Sequence, residues 1–309
     1  MSEMSSAMHA GASAHDHTTG ASDWPRITLV TAVYNGEKYL DATIRSVLAQ
    51  GYPNLEYIIV NDGSTDGTAE IIRTYEGRIA GWFGQPNQGL YAALNAGFAR
   101  STGAIMGWLN SSDLLHTNGL FVVGSVFAAF REVEWITGRP TKFNPSGMTV
   151  EVMRLPRWSK NRFLAGANRY IQQESTFWRR GLWERTGGLL GTTYGAAGDF
   201  ELWVRMFRHA QLYSVDALIG GYRFHEDALS WSDHEGYNRI CDEVVERELK
   251  EMRGASASRF FRRITRAVKP IPKVRGVWHR GVLNNLYRVP WRDWPRRIVD
   301  EGNGWVMRK

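Results

Sequence analysis

An α/β fold, with a mostly parallel sheet flanked by helices, is what this 309-residue sequence predicts. Three observations carry that reading. Apolar runs rich in β-branched residues, at Ile27–Val33, Glu56–Val60 and Ile105–Leu109, suit strands covered on both faces. Each run stops abruptly at a polar loop built from Asn, Asp, Ser or Gly. Between the runs the apolar spacing is helical: Leu40, Ile44, Val47 and Leu48 share one face, as do Leu90, Ala93, Leu94 and Phe98.

The strand, helix, strand unit from Ile27 to Val60 has a right-handed crossover, which brings the turn Tyr34-Asn35-Gly36 and the turn after Val60 to one sheet edge. The second turn contains Asp62, and a carboxylate outside a strand's carboxyl end faces a ligand more often than core. Gly63 and Gly67 let the chain turn, and Ser64, Thr65 or Asp66 can cap a helix that starts near Thr68. A well-capped turn is therefore the plain alternative. A helix through Ile71, Ile72 and Tyr75 and a short strand over Ile79–Phe83 lead to the turn Gln85–Gly89. After the next helix, the strand Ile105–Leu109 ends at Asn110-Ser111-Ser112-Asp113, a third polar loop at a strand's carboxyl end.

Gly119–Phe130 predicts a helix and Glu134–Gly138 a strand. From Arg139 to Arg169 the periodicity fades around Pro140, Pro145 and Pro156, which marks a variable segment that shapes substrate choice. Arg179–Thr186 predicts a short helix. Beyond a glycine-rich loop, Asp199 opens a helix whose apolar face is Phe200, Trp203, Val204 and Phe207. Free backbone N–H groups there can hold the carboxylate and aim it into a site, or it simply caps the helix. Leu212–Val215 and Ile219–Phe224 predict strands, and Glu235–Met252 a long helix on which Cys241 packs.

Composition narrows the class. The chain is 43% hydrophobic with one cysteine, so it has core enough for a large domain and no internal disulfide framework. No Cys/His spacing resembles a zinc site, and no apolar run nears the roughly twenty residues of a membrane span. The amino terminus lacks a secretory pattern, which with the single cysteine predicts a cytoplasmic protein. Residues 1–23, small and polar, predict a disordered tail; 24–253 form the domain and 254–309 a basic, Trp-rich extension. That extension holds fourteen Lys and Arg against three Asp and Glu, or +11 of an overall +7, so the preceding residues carry −4. Nucleic acid is accordingly not an expected partner. Arg259-Phe260-Phe261-Arg262-Arg263 with Trp278, Trp291, Trp294 and Trp305 suits peripheral contact with an anionic membrane surface, and suits equally a basic helix packed on the domain.

The run TAVYNGEKYLDATIRSVLAQGYPNLEYIIVNDGSTDGT resembles the amino-terminal signature of the family 2 glycosyltransferases. The likeness continues through QPNQGLYAALNAGFARSTG, WLNSSD, QQESTFWRR, GDFELWVR and YRFHEDALS, from about Pro25 to Ser230. It implies a Rossmann-like, A-type (GT-A) fold and an inverting transfer of sugar from a nucleotide-sugar donor, a UDP-sugar, to a hydroxyl of a glycan or lipid-linked saccharide. In that likeness Val33, Tyr34 and Asn35 line the nucleotide pocket, Asp62 accepts a base N–H, and Gly63, Ser64 and Asp66 shape the wall. Asn110 to Asp113 corresponds to an acidic motif that holds a divalent cation, Mn2+ or Mg2+, against the diphosphate. Here Ser112 stands where relatives carry one of two adjacent carboxylates, leaving Asp113, with His225 as a second ligand or a structural hydrogen-bonder. Asp199 matches the catalytic base, with Glu201 the weaker candidate, and Gln172, Gln173 and Arg179 are candidates for sugar or phosphate contact. Ser112 also keeps open a second reading, a catalytically weakened nucleotide-binding or scaffold protein on the same fold.

Overall fold

The computed structural model describes residues 24–166, 169–226, 234–251, 256–268 and 297–308. Expectations for the amino-terminal tail, for Trp278, Trp291 and Trp294, and for the end of the YRFHEDALS segment lie outside those residues.

Three strands form the centre of the sheet: β1 (Ile27–Val33), β2 (Leu55–Asn61) and β4 (Ile105–Trp108). β1 runs parallel to both neighbours, with Val33 opposite Asn61 and Val30 opposite Trp108, so all three strands end at one edge. β3 (Gly81–Gly84) adds to β2 in parallel. On the other side lie β9 (Thr176–Arg179), β6 (Trp135–Thr137), β10 (Leu212–Val215), β12 (Arg297–Asp300) and β13 (Trp305–Arg308). The nine strands follow the order β13-β12-β10-β6-β9-β4-β1-β2-β3. β9 is antiparallel to both β4 and β6, so its amino-terminal end meets the carboxyl ends of its parallel neighbours.

Alternate strand residues feed two cores, which is why the strands are apolar on both faces. Leu29, Val33, Tyr57 and Ile59 pack with α1 (Leu40–Leu48) and α4 (Gly119–Ala129). Val30, Ile58, Val60 and Trp108 pack with α3 (Leu90–Ala99), α6 (Arg180–Arg185), α7 (Gly198–His209) and α8 (His234–Glu251). α2 (Thr68–Arg73) completes the β2–β3 crossover. A second sheet, β5 (Leu114–Leu115), β11 (Gly220–Arg223), β7 (Thr141–Phe143) and β8 (Thr149–Val152), takes the order β5-β11-β7-β8.

Two segments differ from the sequence reading. Residues 139–169 are not patternless: they contain β7, β8 and α5 (Lys160–Leu164), and Trp158 and Phe163 are buried in the core. Strands of three or four residues, one of them exposed along its whole length, are too short to show a period. The carboxyl-terminal stretch also returns to the body: β12 and β13 extend the main sheet, and Trp305 Nε1 donates to Ser125 Oγ of α4 (2.7 Å). In α9 (Ser256–Val268), Arg262 is 4% exposed and pairs with Asp242 at 2.7 Å, and Arg266 pairs with Asp242 at 3.1 Å. Those two cations are spent on α8. Among the described residues no helix is long and apolar enough to cross a membrane.

Arg179 also has a structural task. Its guanidinium donates to the carbonyls of Val133 (2.8 Å), Phe127 (2.7 Å) and Phe130 (3.0 Å), tying β9 to the carboxyl end of α4. Arg179→Ala is therefore expected to lower the unfolding free energy in urea by about 2 kcal/mol or more, since hydrogen bonds from a charged donor to half-buried carbonyls are lost together. A variant as stable as the parent contradicts that role.

Candidate functional site

At the carboxyl edge of β1 and β2 the two loops are zipped together by reciprocal hydrogen bonds. Asn35, in the left-handed region at φ 50°, donates its N–H to Ser64 Oγ (2.9 Å), while its Oδ1 accepts the Thr65 N–H (2.8 Å). The Gly36 N–H reaches Thr68 Oγ1 (2.8 Å), the Glu37 N–H reaches Asp66 (3.0 Å), and the Glu37 carboxylate accepts the Gly67 N–H (3.1 Å). Asp66 takes the Thr68 N–H as well (3.1 Å), an Asx turn just ahead of α2. Burial alone would push its carboxyl up, but the bonds from Thr68 and Glu37 outweigh it and leave it below the usual range.

Asp62 turns inward. It is 2% exposed; Oδ1 accepts the Gln85 amide (2.7 Å) and the Gln88 N–H (3.1 Å), and Oδ2 accepts the Gly89 N–H (2.8 Å). This carboxylate thus fixes the Gln85–Gly89 turn that opens α3. Gly63, at φ 78°, lies so close to the turn that a Cβ would sit 2.9 Å from the Asn87 nitrogen. The Val33 side chain belongs to the core, and its carbonyl accepts the Asp62 N–H (2.8 Å). Exposed Tyr34, Asn35 and Gly63 form the rim.

The third loop supplies Asp113, 1% exposed, whose Oδ1 accepts the Arg223 N–H of β11 (2.8 Å) and whose Oδ2 accepts the Asn110 amide (2.9 Å). Burial pushes its carboxyl up to about 6, and these two bonds offset only part of that. Beside it stands Glu174, which the sequence reading passed over. It lies in a single 3-10 turn, Gln173–Ser175, directly before β9, and its carboxyl is held well above the usual range by burial and by the charge of Asp113. The antiparallel course of β9 delivers this turn to the same edge as the three loops.

Asp199 is the second residue of α7. Its Oδ1 accepts the Phe200 N–H (2.6 Å), and its own N–H donates to Tyr91 Oη (3.2 Å), while the Tyr91 hydroxyl donates to the Ala196 carbonyl (3.0 Å). Desolvation pushes the Asp199 carboxyl up to about 6 despite the Phe200 bond. Its charge is felt by Glu174 and, after burial, is the main reason the phenols of Tyr91 and Tyr237 are raised. Neither tyrosine was singled out from the sequence, although Tyr91 sits in the first turn of α3 immediately after the polar Gln85–Gly89 stretch. The remaining candidates are structural: Glu201 pairs with Arg205 (2.8 Å), Gln172 bonds the Thr141 main chain (2.8 and 2.6 Å), and Arg179 binds α4.

For a divalent cation the donor set is sparse. Both Asp113 oxygens already accept protein hydrogen bonds, and the His225 ring is 8% exposed and packs on Tyr39 with centroids 4.6 Å apart. Among the described residues no group of three or more His, Cys, Asp or Glu side chains is placed to hold a metal ion. The residues fit a cation that arrives with phosphate oxygens and takes one or two protein ligands, not one caged by protein.

Comparison with known proteins agrees with this architecture. Residues 28–131 match the sequence profile of "Glycosyl transferase family 2". An uncharacterized glycosyltransferase of Rickettsia conorii is 25% identical over 244 residues, covering 74% of this chain and 40% of that protein. The chain spans 29% to 40% of the length of the first curated relatives it matches. Among solved structures, S. aureus TarS 1-349 in complex with UDP-GlcNAc superimposes with a TM-score of 0.62 at 14% identity, covering 86% of this chain and 76% of that one. The mannosyltransferase PcManGT of Pyrobaculum calidifontis, in complex with GDP-Man and Mn2+, gives 0.52 at 15% identity, covering 86% and 88%. The profile match and the superpositions lead to one conclusion: residues 28–131 carry the sequence pattern of the family 2 glycosyltransferases, and the chain has the A-type fold.

Proposed function

We propose that this protein is an inverting glycosyltransferase that moves a sugar from a UDP-sugar to a hydroxyl of a glycan or lipid-linked saccharide, in one displacement with Asp199 as base. The observation that carries the proposal is the placement of Asp199: a carboxyl at a helix start, desolvated to about 6, at the edge where the three polar loops converge. A base with that proton affinity is ionised at neutral pH yet strong enough to take a proton from an attacking hydroxyl. In a direct displacement the hydroxyl oxygen bonds to the anomeric carbon opposite the departing UDP, its proton passes to Asp199 as the bond to the diphosphate breaks, and the transferred carbon inverts. The scaffold alternative leaves the raised Asp199 without a purpose.

The uridine would lie along the rim of Tyr34, Asn35, Gly63 and Ser64, with Asp66 holding the two loops in register and Asp62 fixing the Gln85–Gly89 turn as the wall beside the base. Asp113, with His225 beside Tyr39 as second ligand, would hold a cation brought by the diphosphate, where it supplies neutralisation of the leaving group's charge. TarS and PcManGT, whose structures contain UDP-GlcNAc and GDP-Man with Mn2+, support a nucleotide-sugar donor and a cation of this kind. TuaG of Bacillus subtilis, named for teichuronic acid biosynthesis, supports a cell-envelope acceptor. On α9 the exposed Phe260 and Arg263 leave a face suited to an anionic membrane, which would bring a lipid-linked acceptor to the site.

Asp199→Asn is expected to cut transfer by about a thousandfold while UDP affinity stays within about twofold, because it removes the base and keeps the shape. Retention of most of the rate rules Asp199 out. With the parent protein, kcat/KM should be flat above pH about 6 and fall about tenfold per unit below it, since a carboxyl raised to about 6 loses its charge there. A profile flat down to pH 4.5 contradicts a base with that affinity. Asp62→Ala should weaken UDP binding by about tenfold or more, because the Gln88 and Gly89 N–H groups lose their acceptor and the wall slackens. Unchanged UDP affinity by calorimetry removes Asp62 from the site.

A further inference from the structure

Glu174 has no task in the reaction just described, yet it sits among the residues that do. The turn carrying it is locked from both sides. Ser175 Oγ donates to the Gly220 carbonyl (2.6 Å), Gln173 Nε2 donates to the Trp108 carbonyl at the end of β4, and Gln172 grips the Thr141 main chain. Position 220 must be glycine, because a Cβ there would lie 2.2 Å from the Glu174 carbonyl oxygen. On this rigid turn two side-chain acceptors, Glu174 Oε2 and Gln173 Oε1, are buried and have no hydrogen-bond partner among the described residues. The two residues are only 6% and 7% exposed. Buried acceptors are nearly always paired, so two adjacent unpaired ones on a fixed turn call for donors from outside the protein. Their position identifies those donors: Gln173 is fixed to the Trp108 carbonyl, just ahead of the Asn110–Asp113 loop, and Glu174 feels the charges of Asp113 and Asp199. It lies within electrostatic reach of both the loop assigned to the diphosphate and the residue assigned as base.

Resting on the nucleotide-sugar reading above, we propose that Glu174 and Gln173 accept hydrogen bonds from hydroxyl groups of the transferred sugar, fixing its anomeric carbon before Asp199 and selecting the donor. The chemistry required is a neutral polyhydroxylated ring. A hydroxyl offers the missing O–H, whereas a uronate or sugar phosphate would bring negative charge against three carboxyl groups. An oxygen acceptor remains at Glu174 whichever of Asp113 and Glu174 holds a shared proton.

Calorimetric titration with UDP, UDP-glucose, UDP-N-acetylglucosamine and UDP-glucuronate separates the possibilities. In the parent at least one neutral UDP-sugar should bind more tightly than UDP, and UDP-glucuronate should not. In Glu174→Ala that advantage should shrink by about tenfold or more while UDP affinity stays within about twofold, as expected when a buried acceptor for a substrate hydroxyl is removed. An advantage that survives, or equal weakening of UDP and UDP-sugar, overturns the assignment. Should Glu174→Ala not fold, the parent is titrated with UDP-glucose analogues lacking one hydroxyl each. Loss of about tenfold or more at one or two positions is expected, and equal affinity across the series overturns it. Failure of the parent to bind UDP at all sinks the donor-site reading itself, an outcome distinct from UDP binding without gain from the sugar.

Discussion

A carboxyl taken out of water must either be saturated with hydrogen-bond donors or hold its proton more tightly, and this sheet does one at each end. At the amino-terminal edge, Glu56 is buried, but Thr28, Thr102 and Gly103 donate to it, and against the push of burial its carboxyl is held down to about 2. Arg26 closes the cluster at 2.9 Å. At the carboxyl edge, Asp113 and Glu174 are buried and Asp199 is half-buried, and desolvation raises all three. The first arrangement stabilises a fold; the second matches what the proposed reaction asks of a proton acceptor.

An aromatic core joins α7 to the sheet. Trp203 of α7 stacks on Trp108 (5.7 Å between centroids, 8° between planes) and on Trp135 (5.7 Å, 27°), and Trp178 of β9 meets Trp108 edge-on at 5.4 Å. These rings belong to β4, β6, β9 and α7; Asp113 follows β4, Glu174 precedes β9 and Asp199 opens α7. Packing therefore sets the angle of α7 against the sheet, and with it the position of Asp199. Large apolar rings also lower the local dielectric, so the core that locates the carboxyls is part of the reason they are raised.

The legible part of this site is the part built from consecutive residues. Val33 ends a strand, and Asn35, Asp62, Asp66 and Asp113 follow strands, whose β-branched runs announce themselves; a right-handed crossover puts the first two loops together without further information. Asp199 was legible because a helical period starts at Phe200. Glu174 was not, since nothing local in Gln172-Gln173-Glu174-Ser175-Thr176 says that the next strand runs antiparallel, and only that direction brings the turn to the carboxyl edge. The available signal was one charged residue two positions ahead of the short run Thr176–Trp178. Arg179 misled for the opposite reason: a cation beside a motif reads as a phosphate ligand, while the carbonyls of Phe127, Phe130 and Val133, in and just beyond the last turn of α4 and distant in sequence, had already claimed it. Residues 254–309 looked separate because composition reports charge and not register, and β12 pairs with β10 across more than eighty residues of chain.

Single displacement with Asp199 as the only base makes a stereochemical commitment that needs no knowledge of the natural acceptor. When water replaces the acceptor and a UDP-α-sugar turned over by this protein is followed by proton NMR from the first minutes, before mutarotation, the released sugar should appear first as the β-anomer. First appearance as the α-anomer would mean retention, and a nucleophile or path that Asp199 alone does not provide.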